Sequence, residues 1–375
     1  MSLVSRTPFQ LTGRYAERNR WENLAGPGDS RPTGLQVVED EGLLEGAWGA
    51  DKVCLVTGVS SGAGVETVRA LAATGATVYG TARDLEKARA ALGPELLATG
   101  RVHVLLIDQA DLASVRRCAT EFRKCSVRLN VMVNNAAVMN TPQSFTKDGF
   151  ELQFGTNHLS HFLLFHELHD LLLASSTPAF HSRVVNVTSA GHKFAALDLD
   201  DVNFTASPSS RPYSGWAAYG ASKTANIYMT TQIERLFGGN NDPSPSSSSS
   251  SPEEKKGQIK IHGYAVHPGG FESPNLQKHS AAEMAAANAD PRTSKYLTDV
   301  RQGCATSVYA AVSAELEGRG GLYLEGCAVA GPAPGDSLEA GDALEYGYGG
   351  WAFDEALEGR LWEKSLKWVG AAASS

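Results

Sequence analysis

Between Lys52 and Val266, short apolar runs alternate with stretches of helical length, and this alternation leaves the chain very few folds to adopt. Val53 to Thr57, Thr77 to Thr81, Val102 to Ile107, Leu129 to Val133, Val184 to Thr188 and Ile259 to Val266 have strand length and little polar interruption. Between them lie Gly64 to Thr74, Asp84 to Ala98, a segment from Leu112, Phe150 to Leu173, and Tyr219 to Phe237. Strands apolar on both faces belong inside a sheet, and strand–helix–strand repetition makes that sheet parallel with helices on both sides. The expectation is a single α/β domain built on a doubly wound parallel sheet over residues 51–330.

Three pieces fall outside the repeat. Residues 1–50 carry Gly26-Pro27-Gly28 and Arg31-Pro32 with few periodic apolar positions, and read as an irregular extension lying on the domain or partly disordered. Residues 240–257 hold Pro243, Pro245 and the run Ser246 to Ser251, a low-complexity surface loop between a helix and a strand. Residues 331–375 place Phe353, Leu357, Leu361, Trp362, Leu366 and Val369 at near-helical spacing, which predicts a closing helix over part of the domain. A net charge of −8 offers no basic footprint, so nucleic acid and anionic membranes are not expected partners. No apolar stretch suits a signal sequence or a membrane span. Cys54, Cys118, Cys125, Cys304 and Cys327 contain no Cys-x-x-Cys pair, which fits reduced thiols in a cytoplasmic protein.

Thr57-Gly58-Val59-Ser60-Ser61-Gly62-Ala63-Gly64 directly follows the first apolar run and opens a helix. Gly58, Gly62 and Gly64 let the backbone turn tightly around Ser60 and Ser61 and approach a pyrophosphate lying at the positive helix end. The Gly-x-x-x-Gly-x-Gly spacing differs from the Gly-x-Gly-x-x-Gly fingerprint of two-domain dehydrogenases. After the second strand, Arg83 stands where a carboxylate would otherwise hold an adenosine ribose. A guanidinium there suits a 2′-phosphate, so NADP is favoured over NAD; surface pairing with Asp84 or Glu86 is the other reading. Asp108, closing the third strand, is placed to accept a hydrogen bond from an adenine amino group. Ser189 follows the strand ending at Thr188, at the carboxyl end of the sheet where ligands collect. Tyr219 and Lys223 lie one helical turn apart, so phenol and ammonium share a face, and the ammonium favours the phenolate. Tyr219 is therefore a candidate proton donor and acceptor.

Taken in order, Thr57 to Gly64, Asn134-Asn135-Ala136-Ala137, Asn157, Ser189 and Tyr219 to Lys223 resemble the classical short-chain dehydrogenase/reductase family. Phe154 to Leu159, Thr188 to His192 and Val266-His267-Pro268-Gly269 are similar to the branch containing retinol dehydrogenases and the WW-domain oxidoreductase. The resemblance covers about residues 50–330 and implies a Rossmann-type oxidoreductase that interconverts a carbonyl and an alcohol with a nicotinamide cofactor. It implies Tyr219 as general acid or base and Lys223 as the group that lowers its pKa and bonds the nicotinamide ribose. Ser189 would orient the substrate oxygen, and Asn157 would hold a water linking Lys223 to solvent. Asn134, Asn135 and Ala136 would line the adenosine side, while Pro268 and Gly269 would approach the nicotinamide. Two positions depart from the family pattern: Ala137 replaces a glycine, and Ser273 replaces a threonine whose hydroxyl would bond the nicotinamide amide. Family habit also implies a homodimer paired through the helices of Phe150 to Leu173 and Tyr219 to Phe237.

The segments expected to close the pocket, residues 191–216 and 270–296, carry Phe194, Leu197, Phe204, Tyr213, Trp216, Phe271, Leu276 and Met284. That set suits a lipophilic ketone, aldehyde or alcohol. His158, His161, His166 and His169 share one helix without further ligands, so they read as ordinary polar helix positions and no metal is expected. His192, near Ser189, reads as structural. Two other functions remain open: an NADP-binding sensor or scaffold without turnover, and an NAD-linked alcohol dehydrogenase.

Overall fold

The computed structural model describes residues 11–46, 48–49, 51–205, 212–239, 260–334 and 344–371; the Ser-rich stretch 240–257 lies outside them. Among the described residues one sheet contains β1 (Leu11–Thr12), β2 (Val53–Thr57), β3 (Thr77–Ala82), β4 (Val102–Leu106), β5 (Val131–Asn134), β6 (Ser182–Val187), β7 (Ile261–His267), β8 (Leu322–Glu325) and β9 (Ala328–Ala330). The order across it is β1-β9-β8-β7-β6-β5-β2-β3-β4. The strands from β8 to β4 are parallel, in registers such as Cys54↔Val131 and Val185↔Tyr264, while β9 and β1 run antiparallel at one edge. All residues of β2, β5, β6 and β7 are buried, the polar Arg183, Asn186, His262 and His267 among them, as central strands covered on both faces require.

The helices are α1 (Gly34–Asp40), α2 (Ala63–Ala73), α3 (Leu85–Leu92), α4 (Pro94–Ala98), α5 (Leu112–Cys125), α6 (Leu152–Phe154), α7 (Ser160–Ser175) and α8 (Gly215–Phe237), followed by α9 (Ala281–Asn288), α10 (Pro291–Tyr296), α11 (Val300–Gly303), α12 (Ala305–Val312) and α13 (Glu355–Trp368). One apolar cluster joins α1, α2 and α12 to the sheet, and a second joins α5, α7, α8 and α13. These are the two helical layers of a doubly wound fold, and no helix is long and apolar enough to cross a membrane among the described residues.

Four details depart from the sequence reading. The extension at residues 1–50 supplies β1 and the seven-residue helix α1, whose Thr33 cap accepts from Gln36 N. The helix expected over Asp84 to Ala98 divides at Gly93, with Pro94 starting the next one. The helix expected over Phe150 to Leu173 is interrupted by a π-helical turn, Gly155–Leu159, between α6 and α7. Such turns occur often at functional sites, and this one contains Asn157. Finally, β8 and β9 extend the sheet beyond β7, where no strand was expected.

The closing helix expected from the tail is α13, and it packs across α7 and α8. The Trp362 ring lies 4.9 Å from Phe162, 6.0 Å from Phe165 and 6.4 Å from Phe237, centroid to centroid. His158 Nε2 meets Ser365 Oγ at 3.1 Å beneath it.

Candidate active site

The chain reverses its winding direction between β2 and β5, and the loops leaving these strands open onto a cavity of about 710 Å³. Gly58, at φ 75°, lies against the loop after β5: a Cβ there would stand 2.8 Å from Ala136 Cβ. Gly64 folds back on the same turn, where a Cβ would meet Gly58 O at 2.3 Å. Gly62, at φ 66°, caps α2 without a side chain, so no side-chain oxygen meets the first turn beside the cavity-lining Ala63, although Val65 N donates to Gly62 O at 3.1 Å. A bare, positively polarised helix end opening on a cavity fits a cofactor pyrophosphate.

Thr57 ties this loop to β5. Its Oγ1 accepts from the backbone amides of Asn135 and Ala136 at 2.9 and 3.0 Å and meets His161 Nε2 at 2.9 Å. Asn135 Nδ2 donates to Thr57 O at 2.8 Å, and Asn135 and Ala137 line the cavity. Asn134 behaves differently, since its side chain is buried between strands and donates to Asn186 Oδ1 at 2.8 Å. Ser60 is half-buried in the glycine loop. Ser61 Oγ accepts from Asn275 Nδ2 at 2.7 Å, and Ser273 Oγ lies 3.3 Å from where a Gly62 Cβ would stand. The segment after β7 thus lies over the glycine loop.

Arg83 is exposed just beyond β3, and neither acidic neighbour considered for it is its partner among the described residues. Asp84 instead caps α3 through Lys87 N at 2.9 Å, and Glu86 faces Arg89. Asp108 is half-buried after β4, with Oδ1 accepting from Ala110 N at 3.1 Å.

Ser189, Tyr219 and Lys223 line the same cavity as the end of the glycine loop, together with Pro268, Gly269 and Ser273. Ser189 caps a short 3-10 turn, its Oγ accepting from Gly191 N at 3.0 Å. Gly191 is forced to be glycine by the tyrosine, because a Cβ would come within 2.9 Å of Tyr219 Cε1 and 3.3 Å of Ser189 Oγ. Lys223 Nζ stands 5.6 Å from the Tyr219 ring centre and donates to Val187 O at 2.9 Å. Asn157, fully buried in the π turn, donates to Val138 O and Ser222 Oγ and accepts from Val138 N at 2.9 Å, fixing the loop after β5 to α8.

The electrostatics correct the expectation that the lysine dominates the phenol. Burial pushes Tyr219 up to about 12, with the Ser189 hydrogen bond acting in the opposite direction. Burial also pulls Lys223 down to about 7, so it is only partly charged near neutral pH.

Of the expected pocket residues, Phe194, Trp216, Phe271, Leu276 and Met284 line the cavity. Leu197 packs in the core instead, while Phe204 and Tyr213 meet edge to face at 5.6 Å and Tyr213 Oη donates to Thr141 O. His158 and His161, read as ordinary polar helix positions, are fully buried, with burial pulling them to about 3 and about 4. His192 is a brace: Nδ1 bonds Ser189 O at 2.6 Å and Nε2 accepts from Gly349 N at 2.9 Å.

The pocket also has a polar floor that the sequence reading missed. His267 Nδ1 accepts from Ala190 N at 3.2 Å, which leaves Nε2 to donate to Tyr296 Oη at 3.3 Å, and Tyr296 donates to Glu325 Oε1 at 3.2 Å. His267 and Tyr296 line the cavity, while Glu325, from the unforeseen strand β8, is buried behind them. Only the His-Pro-Gly run hinted at this floor, through His267.

The short chain dehydrogenase family model matches residues 52–196. The chain is 43% identical over 356 residues to a short-chain dehydrogenase/reductase, prx1, of Penicillium roqueforti, covering 95% of this chain and 94% of that protein. It is 31% identical to human retinol dehydrogenase 13, covering 86% of each. An uncharacterised protein from Mycobacterium paratuberculosis superposes with a TM-score of 0.59 at 28% identity, covering 87% of this chain and 96% of that one.

Proposed function

The chain belongs to the short-chain dehydrogenase/reductase family, and from that premise we propose an NADP-preferring oxidoreductase that interconverts a carbonyl and an alcohol on a lipophilic small molecule, with Tyr219 as general acid and base. The observation that carries this reading is one largely apolar cavity lined by Ser189, Tyr219, Lys223 and the residues flanking a glycine loop. When bound, the nicotinamide supplies the hydride for carbonyl reduction and takes it up in alcohol oxidation.

The chain's own residues bind, orient and move the proton. The uncapped start of α2 and the turn at Gly58, Ser60, Ser61 and Gly62 hold the pyrophosphate. Arg83, exposed at the end of β3, holds the 2′-phosphate, and Asp108 with Asn135 and Ala136 sets the adenosine side. Pro268, Gly269 and Ser273 border the nicotinamide end. Ser189 Oγ accepts from Gly191 N and reaches Tyr219, so its hydroxyl proton is placed to turn from the phenol to a substrate oxygen. Tyr219 Oη gives its proton to that oxygen in reduction and removes it in oxidation. A phenol pushed up to about 12 by burial is reluctant to ionise, so charge on Lys223 matters: every protonated Lys223 nearby favours the phenolate. Asn157 acts by holding the loop and helix that carry these groups.

The test follows nicotinamide absorbance with purified protein, NADPH or NADH, and a panel of lipophilic ketones and aldehydes, with Tyr219→Phe in parallel. NADPH consumption that falls by about 10²–10⁴-fold in Tyr219→Phe, with cofactor binding retained, is the expected result. Turnover that persists in the variant overturns the mechanism, and cofactor binding without turnover across the panel overturns the enzymatic reading.

A further inference from the structure

At the amino-terminal ends of β6 and β7, the opposite end of these strands from Ser189, three potential ligands converge. His181 directly precedes β6, His262 is the second residue of β7, and Glu317 follows the turn Ala314–Leu316. One ligand atom from each lies within 4.8 Å of the others. We propose that His181, His262 and Glu317 bind one divalent metal ion of the zinc class, with solvent as the fourth ligand.

The arrangement around these atoms carries the assignment. Two imidazoles and one carboxylate form a borderline N/O donor set suited to tetrahedral zinc. His262 is 1% exposed, and its Nδ1 faces Glu234 Oε2 at 3.0 Å. A carboxylate accepts only, so Nδ1 carries the proton and Nε2 bears the lone pair. That Nε2 is buried without a hydrogen-bond partner, as are both ring nitrogens of His181. His181 Nδ1 is 2.7 Å from Glu317 Oε1, so a nitrogen and an oxygen donor already converge where either a proton or a metal cation bridges them.

Further partners orient the ligands. Glu317 Oε1 accepts from His181 N at 3.1 Å, and Oε2 is held by Arg183 Nη2 at 3.0 Å. Glu234, reaching from α8, is the positioning carboxylate of His262, the partner that metal-bound histidines characteristically have. Room for that pair exists because residue 320 is glycine: a Cβ there would lie 1.8 Å from Glu234 Oε2 and 2.9 Å from His262 Nδ1. The Arg183 guanidinium moderates affinity, while the Glu317 side chain, 28% exposed, leaves an entry path.

The experiment uses chelator-stripped, full-length protein titrated with Zn(II) by calorimetry and with Co(II) by visible absorption, and its readouts are independent of turnover. The expected result is one equivalent of either ion, with a tetrahedral cobalt spectrum that His181→Gln and Glu317→Gln abolish. Glu234→Gln weakens binding by about 10–100-fold without changing stoichiometry. Circular dichroism verifies that each variant is folded, and Glu317→Gln, at a partly exposed position, serves if His181→Gln does not fold. Absence of a bound equivalent in the unmodified protein, or cobalt binding by a folded ligand variant equal to that of the unmodified protein, overturns the proposal.

Discussion

Replacing Gly191 by alanine adds one methyl group directly against the proposed acid/base. The new Cβ stands 2.9 Å from Tyr219 Cε1, 3.0 Å from Cδ1 and 3.3 Å from Ser189 Oγ. Gly191 is not among the glycines at positive φ, so alanine meets no backbone penalty and the strain falls on the ring and the serine. Carbon atoms pack comfortably at about 3.5–4.0 Å, so the ring must withdraw by roughly 0.5–1 Å. Overpacking of this size costs about 1–3 kcal/mol of stability. Misplacing a reacting group by about 1 Å costs up to about 10²-fold in rate, equivalent to about 2.7 kcal/mol of barrier. The assay combines thermal melting, cofactor binding by nicotinamide fluorescence, and steady-state turnover of NADPH. The expected outcome is a folded protein that binds cofactor like the parent and has kcat reduced by about 10–100-fold. A folded Gly191→Ala protein with parental kcat would refute the claim that Tyr219 must occupy this position to react.

Other perturbations address the cofactor and the pocket floor. Arg83→Asp should weaken NADP binding by about 10–100-fold, the worth of a hydrogen bond to a charged group, without weakening NAD; calorimetric titration with both cofactors checks it, and unchanged NADP affinity contradicts the ribose-pocket assignment. Burial raises Glu325 from an ordinary value near 4.5 to about 7. The unfolded chain therefore releases this proton first as pH rises: the associated stability is complete below about pH 4.5 and is lost as pH climbs through 7. Glu325→Gln, which does not titrate, should gain on the parent by on the order of 2 kcal/mol between pH 5 and pH 8 in urea denaturation. A pH-independent difference would show that Glu325 is not the group responsible.

The parts of the site legible in the sequence were those written in contiguous residues. The glycine loop, Ser189 and the Tyr219–Lys223 turn each sit beside a strand or helix whose periodicity is strong, and the fold then brings them to one cavity. What stayed hidden depends on distant partners. β1 and β9 are two and three residues long, too short for any alternation to show, and pair Leu11 with Ala330 across almost the whole chain. The π turn at Asn157 lies inside a continuous helical pattern and has no residue signature of its own. His161 reads as polar and is buried because Thr57 Oγ1 and Gln109 Nε2 meet it at 2.9 and 2.6 Å. Tyr213 and Phe204 look like any pocket aromatics; only the tertiary packing turns them toward each other and away from the cavity.

The helix α13 changes what concentration means for this molecule. Its Leu361, Trp362 and Leu366 belong to the same apolar cluster as Phe162, Phe165 and Ile233 of α7 and α8, the two helices through which family habit would pair two chains. A cover supplied by a second molecule departs when the protein is dilute. One carried on the same chain is presented at an effective concentration set by its tether, in the millimolar range for short flexible connections, whatever the abundance of the protein. The shielding of that helical face is thus a property of each molecule by itself and is not surrendered on dilution.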